Sequence, residues 1–244
     1  MQSYISSVLQ QLLSREKDIS KYTIILPSKR AGSSLKKELS TMLLQPKFSP
    51  QIYSIEDFVT VVSDLSPLVN VEVLFQFYSV YKELTPVEKL EDFETFSNWA
   101  QTLIHDFNEI DRYLIDSESF FNYLAEIQDI NHWYLQERTE LIENYLSFWN
   151  QLPTYFLALR NQMLKSKKAY QGYIFRKASE NIKSYINNVT NPHIFIGFNA
   201  LNSAEQIIFQ EFLDSKKGEV FWDVEKSFYE DSFHEAGYFF RDYF

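Results

Sequence analysis

A loop that binds nucleotide phosphates needs glycines so that backbone N–H groups can wrap the oxygens, a lysine for the terminal phosphates and a Ser or Thr for magnesium. The chain contains no G-x-x-x-x-G-K-[ST] string. Its nearest approach, Pro27-Ser28-Lys29-Arg30-Ala31-Gly32-Ser33, has a single glycine and the basic residues in the wrong order. The acidic half of such a site is missing too. A nucleotide hydrolase ends a neighbouring strand in carboxylates that hold magnesium, whereas here the apolar run 193–197 continues into Phe198 and Asn199. What remains is a pair of cations, Lys29 and Arg30, at a helix start, able to touch a nucleic-acid backbone or simply to be solvated.

Other chemistries fare no better. Metal-dependent phosphodiester hydrolysis of the PD-(D/E)XK kind needs carboxylates on neighbouring strands and a lysine near the attacked phosphate. No Glu-x-Lys occurs, and the one Asp-x-Lys, Asp214-Ser215-Lys216, lies at a helix end before Gly218, where it reads as a capped terminus. His105, Asp106, Glu109 and Asp111 form the densest acid-plus-imidazole group, but one imidazole with loose carboxylates fits a solvated or salt-bridging face better than a metal site. His234-Glu235 lacks a second His, and Asp223, at a strand end, reads as a cap. The sequence therefore names no catalytic residue, metal ligand or cofactor for this segment.

Positive charge does concentrate in one place. Lys165, Lys167, Lys168, Arg176, Lys177 and Lys183 surround Tyr170 and Tyr173, and the first five join Lys29 and Arg30 as candidate DNA contacts against the alternative of an ordinary solvated helix pair. The aromatic stripes Phe93, Phe96, Trp99 and Phe120, Phe121, Tyr123 could stack bases, but their spacing is that of core-facing helix positions.

The elements that must position these residues fall into two styles. Ile5, Val8, Leu9, Leu12 and Leu13 predict an amphipathic helix ending near Lys17, followed by a buried strand at Tyr22-Thr23-Ile24-Ile25-Leu26, a helix through Leu35, Leu39, Met42 and Leu43, and a short strand at Gln51-Ile52-Tyr53. Ser54 and Asp57 form a capping-box-like start for a helix carrying Phe58, Val61, Val62 and Leu65. Such alternation favours a parallel sheet. From about 70 to 188 strand signals vanish and helical stripes succeed one another: Leu74, Phe75, Tyr78, Tyr81; Phe96 to Ile110; Phe120, Phe121, Leu124; Leu141, Ile142, Tyr145, Trp149; Phe156, Leu159, Met163, Leu164; and Ile174, Ala178, Ile182, Ile186. The sheet style returns with a strand at 193–197, a helix at 203–213 and a strand at 219–223. The expected architecture is α/β and mainly helical overall, with 1–66 and 190–244 forming the sheet part and 67–189 an all-helical insertion. Because the chain stops at Phe244 inside a predicted helix at 235–241, it reads as an N-terminal fragment of a longer protein.

Composition bounds the partners. The 244 residues include 22 Phe and 16 Tyr against 5 Gly and 7 Pro, which favours long regular elements. A formal charge of −10 opposes free-standing nucleic-acid binding, which draws on Lys and Arg to release counterions. The absence of Cys excludes disulfides and thiolate metal sites. No signal segment or spanning stretch is present in the sequence, so the expectation is a cytoplasmic protein with no membrane partner, in which the Asn188-Val189-Thr190 sequon is a chance match.

A sheet interrupted by a helical insertion is the layout of the first motor half of superfamily 1 helicases. The strings 24–32, 50–58, His105-Asp106-Phe107-Asn108-Glu109-Ile110-Asp111-Arg112-Tyr113-Leu114, Ile196-Gly197-Phe198-Asn199-Ala200-Leu201-Asn202 and His234-Glu235-Ala236-Gly237 together resemble the N-terminal region of AddB-like, PD-(D/E)XK nuclease family proteins of Bacteroidetes-type bacteria. The resemblance spans essentially the whole chain. It implies a P-loop-helicase-like (1A-like) sheet whose ATPase is inactivated, a 1B-like insertion, and a Mg2+-dependent nuclease domain beyond this segment. It further implies partnership with an AddA-type motor subunit, on DNA ends or single-stranded DNA, in double-strand-break repair and recombination, the parent being a subunit of an ATP-dependent exodeoxyribonuclease complex. By the same resemblance, the loop holding Lys29 and Arg30 sits where related helicases touch single-stranded DNA. A second reading is a protein-interaction domain that docks the motor without contacting DNA.

Overall fold

The computed structural model describes residues 3–43, 45–133 and 140–243, with backbone alone described at 128–133, 140–146, 236, 239, 242 and 243. The side chains Leu141, Ile142 and Tyr145 of the expected helical stripe lie outside the described ones. In chain order the elements are α1 (Tyr4–Arg15), β1 (Thr23–Leu26), α2 (Lys29–Met42), β2 (Gln51–Ser54), α3 (Ile55–Ser63), β3 (Ser66–Pro67), α4 (Asn70–Leu84), α5 (Phe93–Arg112), α6 (Ser117–Trp133), α7 (Glu140–Ser166), β4 (Lys168–Ala169), α8 (Gln171–Asn188), β5 (His193–Phe198), α9 (Ser203–Asp214), β6 (Gly218–Trp222), α10 (Lys226–Glu230) and α11 (Tyr238–Tyr243). The fold is mainly helical with a small four-stranded parallel sheet. Among the described residues, no helix is long and apolar enough to cross a membrane.

Two compact units divide the chain, one made of Met1–Ser63 and Lys177–Phe244, the other of Asp64–Arg176. Residues 177–188 thus belong with the sheet, whereas the sequence pattern alone groups them with the preceding helices. The cause is local: Tyr185 packs edge-on against Phe58 of α3 at 5.6 Å, and its hydroxyl bonds to His193 of β5.

In the sheet unit the strand order is β2-β1-β5-β6, with every neighbouring pair parallel. From β1 the chain winds outward through α2 to β2, and from β5 it winds the other way through α9 to β6. Right-handed crossovers running in opposite directions place their helices on opposite faces. Accordingly Ile24, Leu26, Ile194 and Ile196 bury one sheet face with Val8, Leu9, Leu12, Leu35 and Leu39 of α1 and α2. The other face is aromatic: Phe195 meets Phe209 at 4.2 Å, Phe212 at 5.4 Å and Phe58 at 6.2 Å. β1 is covered on both faces and buried along its whole length, which selects Ile24, Ile25 and Leu26 after Thr23.

The helical unit is centred on aromatic packing of α4, α5 and α7, where Phe77, Phe96, Phe107 and Phe156 are all buried. It is not purely helical, as the sequence pattern suggests. β3 and β4 form a two-stranded parallel ladder, Ser66 opposite Lys168 and Pro67 opposite Ala169. A two-residue strand containing Pro has no apolar alternation to betray it.

Four non-glycine residues, Asp64, Leu114, Lys167 and Lys216, have positive φ just beyond helix ends, where glycine is the usual occupant. At the end of α9 this corrects the sequence reading. Lys216 (φ 57°), not Gly218, makes the turn, and Gly218 opens β6, where an added Cβ would lie 2.5 Å from the Phe212 Cβ.

His193 is buried between these layers, stacked on Phe212 at 4.6 Å. Its Nδ1 lies 2.8 Å from the Asn191 carbonyl, which can only accept, so Nδ1 carries the proton and Nε2 accepts from Tyr185, 3.1 Å away. Burial, the leading cause, holds the imidazole below its ordinary 6.5, with Lys217 adding and the Asn191 carbonyl opposing. The unfolded chain then binds the proton more readily, so stability is full above about pH 6.5 and declines as pH falls through the depressed native value. The expected outcome is that His193→Gln, though less stable at neutral pH, flattens the fall in urea midpoint between about pH 7 and about pH 5. An unchanged slope refutes the assignment.

Candidate functional site

In open parallel sheets, ligands bind beyond the carboxyl ends of the strands where the winding reverses. Here that point lies between β1 and β5, and a crevice of about 320 Å3 opens there. Leu26 and Pro27 come from the end of β1, Ile196 and Gly197 from β5, and Asp223 directly follows β6. The start of α1 supplies Tyr4 and Ile5. Three local features set its shape. Ser3 caps α1 by accepting the Ser6 N–H, and Ser6 donates to Glu38 at 2.6 Å, tying α1 to α2. Pro27 ends β1 and Ser28 caps α2. Gly197, at φ +74°, is skipped in the pairing with β6, so Ile196 pairs with Phe221 and Phe198 with Trp222. Such a bulge near a strand end redirects the residues beyond it.

The polar side chains of the crevice are the Asp223 carboxylate, the Tyr4 phenol and the Ser3 hydroxyl, the last taken up by Ser6 in the cap of α1. The Tyr4 hydroxyl is shielded from solvent and has no hydrogen-bond partner among the described residues. Burial chiefly, and the charge of Asp223 next, push its ionisation well above the usual phenol range, while the Gly197 main chain opposes this at a geometry short of a hydrogen bond. Tyr4 is therefore a neutral donor beside a carboxylate. That environment repels phosphate. The sequence pattern singles out neither residue for a site: Tyr4 falls at the start of an amphipathic helix, and Asp223 reads as a cap, although the N-cap position of α10 is held by Glu225, without a side-chain capping bond. A signal does exist, because Asp223 ends the strand beside β5. Asn199, at the position where a nucleotide hydrolase needs acidic residues, is exposed.

The candidate DNA contacts separate into distinct environments. Lys29 pairs with Asp57 at 3.1 Å in the first turn of α2, and Arg30 beside it is exposed. Lys167 pairs with Asp64 at 2.7 Å, and Lys177 with Glu180 at 2.6 Å. Lys183, from the same run, pairs with Glu211 at 3.1 Å. Lys165 and Lys168 are exposed without an ion pair among the described residues. Tyr170 and Tyr173 are buried and offer no stacking face. In the aromatic stripes Phe96 and Phe121 are buried, whereas Tyr123 is 62% exposed.

Arg176 is part of an internal cluster. Asp111, completely buried, receives Arg176 Nε at 2.7 Å, two donors from Arg160 and the Tyr170 hydroxyl. Arg176 also donates to the carbonyls of Ile110 and Ile115 at 3.0 and 2.9 Å, closing the turn after α5. Burial lowers the Arg160 pKa and raises that of Tyr170. The phenol is thus a neutral donor to Asp111. Asp111 is in this way turned inward from His105 and Asp106, both exposed. No group of three or more His, Cys, Asp or Glu that could hold a metal is found among the described residues.

No protein-family model matches the chain, and no curated protein matches it.

Removing one partner of a buried ion cluster leaves uncompensated charge, at a cost of roughly 3–5 kcal/mol. Asp111→Ala is therefore expected to lower unfolding stability by about that much, measured by urea titration of helical circular dichroism; a loss below about 1 kcal/mol contradicts the central role. Tyr4→Phe is expected to act in the opposite sense, stabilising by roughly 1 kcal/mol because it removes an unsatisfied hydroxyl. A lower melting temperature in that variant shows that the hydroxyl has a partner.

Proposed function

We propose that the chain is a noncatalytic scaffolding module of an AddB-like helicase-nuclease subunit, serving double-strand-break repair by holding partners rather than by turning over nucleotide. In this reading the sheet unit is 1A-like, the helical unit is 1B-like, and nuclease chemistry with its Mg2+ belongs to another domain of the parent protein. The observation that carries the reading is the crevice at the sheet's winding reversal. Its geometry is that of a ligand site, yet it presents Asp223 and a neutral Tyr4 where phosphates would need cations and backbone donors. The strings that resemble the AddB-like family supply the biological setting.

Ion pairing favours protein contacts over DNA contacts within this reading. Lys29, Lys167 and Lys177 are matched to carboxylates, and Arg176 is held inside. An AddA-type motor subunit is the partner we propose. Direct engagement of DNA ends or single strands is the second reading, and it is supported by the exposed Arg30, Lys165 and Lys168.

The test combines capture of an AddA-type subunit with fluorescence anisotropy on single- and double-stranded DNA ends. The expected result is capture that survives the Arg30→Glu, Lys165→Glu, Lys168→Glu combination, with DNA affinity no tighter than roughly micromolar at physiological salt. A tighter, salt-dependent DNA affinity that falls about tenfold in the combined variant moves the conclusion to the DNA reading. ATP turnover by the chain, or failure to capture the motor with no DNA binding, overturns the proposal.

A further inference from the structure

The helical unit contains a second cavity, of about 400 Å3, between α5, α6 and α7. Its walls are apolar and largely aromatic, built from Leu103, Phe107, Phe120, Phe121, Leu124 and Leu152. That volume lies in the range of pockets that take small molecules or bulky side-chain anchors. Ile115, 37% exposed, forms part of the wall at the turn after α5. The same turn is fixed from inside, where Arg176 grips the Ile110 and Ile115 carbonyls. One wall of the cavity is therefore preformed by the Asp111 cluster, which lowers the ordering cost of binding.

The ionisable side chains that line the cavity are acidic. Asp106 and Glu109 are the titratable residues among those lining the cavity. On α5, Arg112 is the single Lys or Arg, and it is 3.6 Å from Glu109. Of the described side chains of α6, Glu118 and Glu126 are the charged ones. An apolar hole edged by carboxylates disfavours nucleic acid and suits a cationic amphipathic surface.

We infer that this cavity is a docking site for a basic amphipathic helix of a partner protein, which inserts bulky apolar side chains between α5, α6 and α7 while its Lys or Arg residues face the exposed Asp106. The inference rests on the scaffolding reading and specifies where and by what chemistry the partner is held.

A fluorescent peptide of Leu and Lys at amphipathic helical spacing serves as the probe, with the same Leu positions and Glu for Lys as its counterpart. Binding is followed by anisotropy on the whole chain. The expected result is binding of the Leu/Lys peptide alone, weakened about tenfold by Ile115→Arg and severalfold by Asp106→Lys, the latter effect shrinking at high salt. Circular dichroism checks that Ile115→Arg folds, and Asp106, being exposed, provides a variant that does not threaten the core. Equal binding of the Leu/Glu peptide, no binding of either peptide, or undiminished binding to both variants overturns the inference. Capture of the AddA-type subunit, run in parallel on the same variants, separates the two claims. If capture persists while the cavity fails its test, the scaffolding reading stands and only the cavity is misassigned.

Discussion

The carboxylate of Asp111 is the constraint on which the helical unit depends. It sits on the buried face of α5 one turn beyond Phe107, at a position that the helical repeat would otherwise fill with an apolar side chain. Two guanidinium groups and a phenol converge on its two oxygens from α7, from the start of α8 and from the residue between β4 and α8. With four donors its lone pairs are essentially saturated. Two cations around one anion leave net positive charge inside, a costly arrangement that persists because each guanidinium has further contacts. Arg160 lies over the Phe156 ring at 4.1 Å, and Arg176 takes up two carbonyls. A hydrophobic replacement could match its stability, but not its directionality: only a saturated polar cluster fixes where α5 must end and how the chain turns toward α6.

That cluster also shows where sequence reading stops. Asp111 lies 49 to 65 residues from its three partners, so neither periodicity nor motif spacing connects it to them. Judged by sequence neighbours, Asp111 belongs with His105, Asp106 and Glu109, and Arg176 with a basic run. The structure separates both from those groups. A usable signal exists in the helical repeat itself, because Phe96, Ala100, Phe107, Ile110 and Asp111 share the buried face. A charge on such a face implies buried partners of opposite sign, and Arg160 directly follows the run Phe156-Leu157-Ala158-Leu159 of α7, one turn beyond the buried Phe156.

The sheet is more legible for a physical reason. Strands buried on both faces are apolar along most of their length, so β1 and β5 announce themselves as runs broken only by Thr23, His193 and Gly197, and Ser54 with Asp57 marks the start of α3 through a real cap, the Asp57 N–H donating to Ser54 Oγ at 3.2 Å. The ladder between β3 and β4 carries no such mark because two residues a side bury almost nothing by alternation. The crevice is half legible. The loops after β1 and β5 can be placed from the strand signals, but that the start of α1 lines it, and that Asp223 contributes to it, depend on strand order, which no local pattern encodes.

The two units use charge in the same way. Within each, several cations are directed inward or matched: Arg15 to Glu219, Lys29 to Asp57 and Lys183 to Glu211 in the one, Arg160 and Arg176 to Asp111 and Lys167 to Asp64 in the other. Lys217 reaches the carbonyls of Ile186 and Val189, and Arg241 those of Phe228, Asp231 and His234. With ten more acidic than basic residues in the chain, this use of cations leaves carboxylates as the groups most available to an incoming partner. Long-range attraction to such a surface selects for positive charge, and short-range selectivity must then come from shape. An apolar cavity edged by carboxylates meets both requirements, whereas a phosphate backbone meets neither. In the proposed reading, the acidic side chains of the sheet crevice and of the cavity in the helical unit favour cationic protein surfaces over phosphates for the same reason.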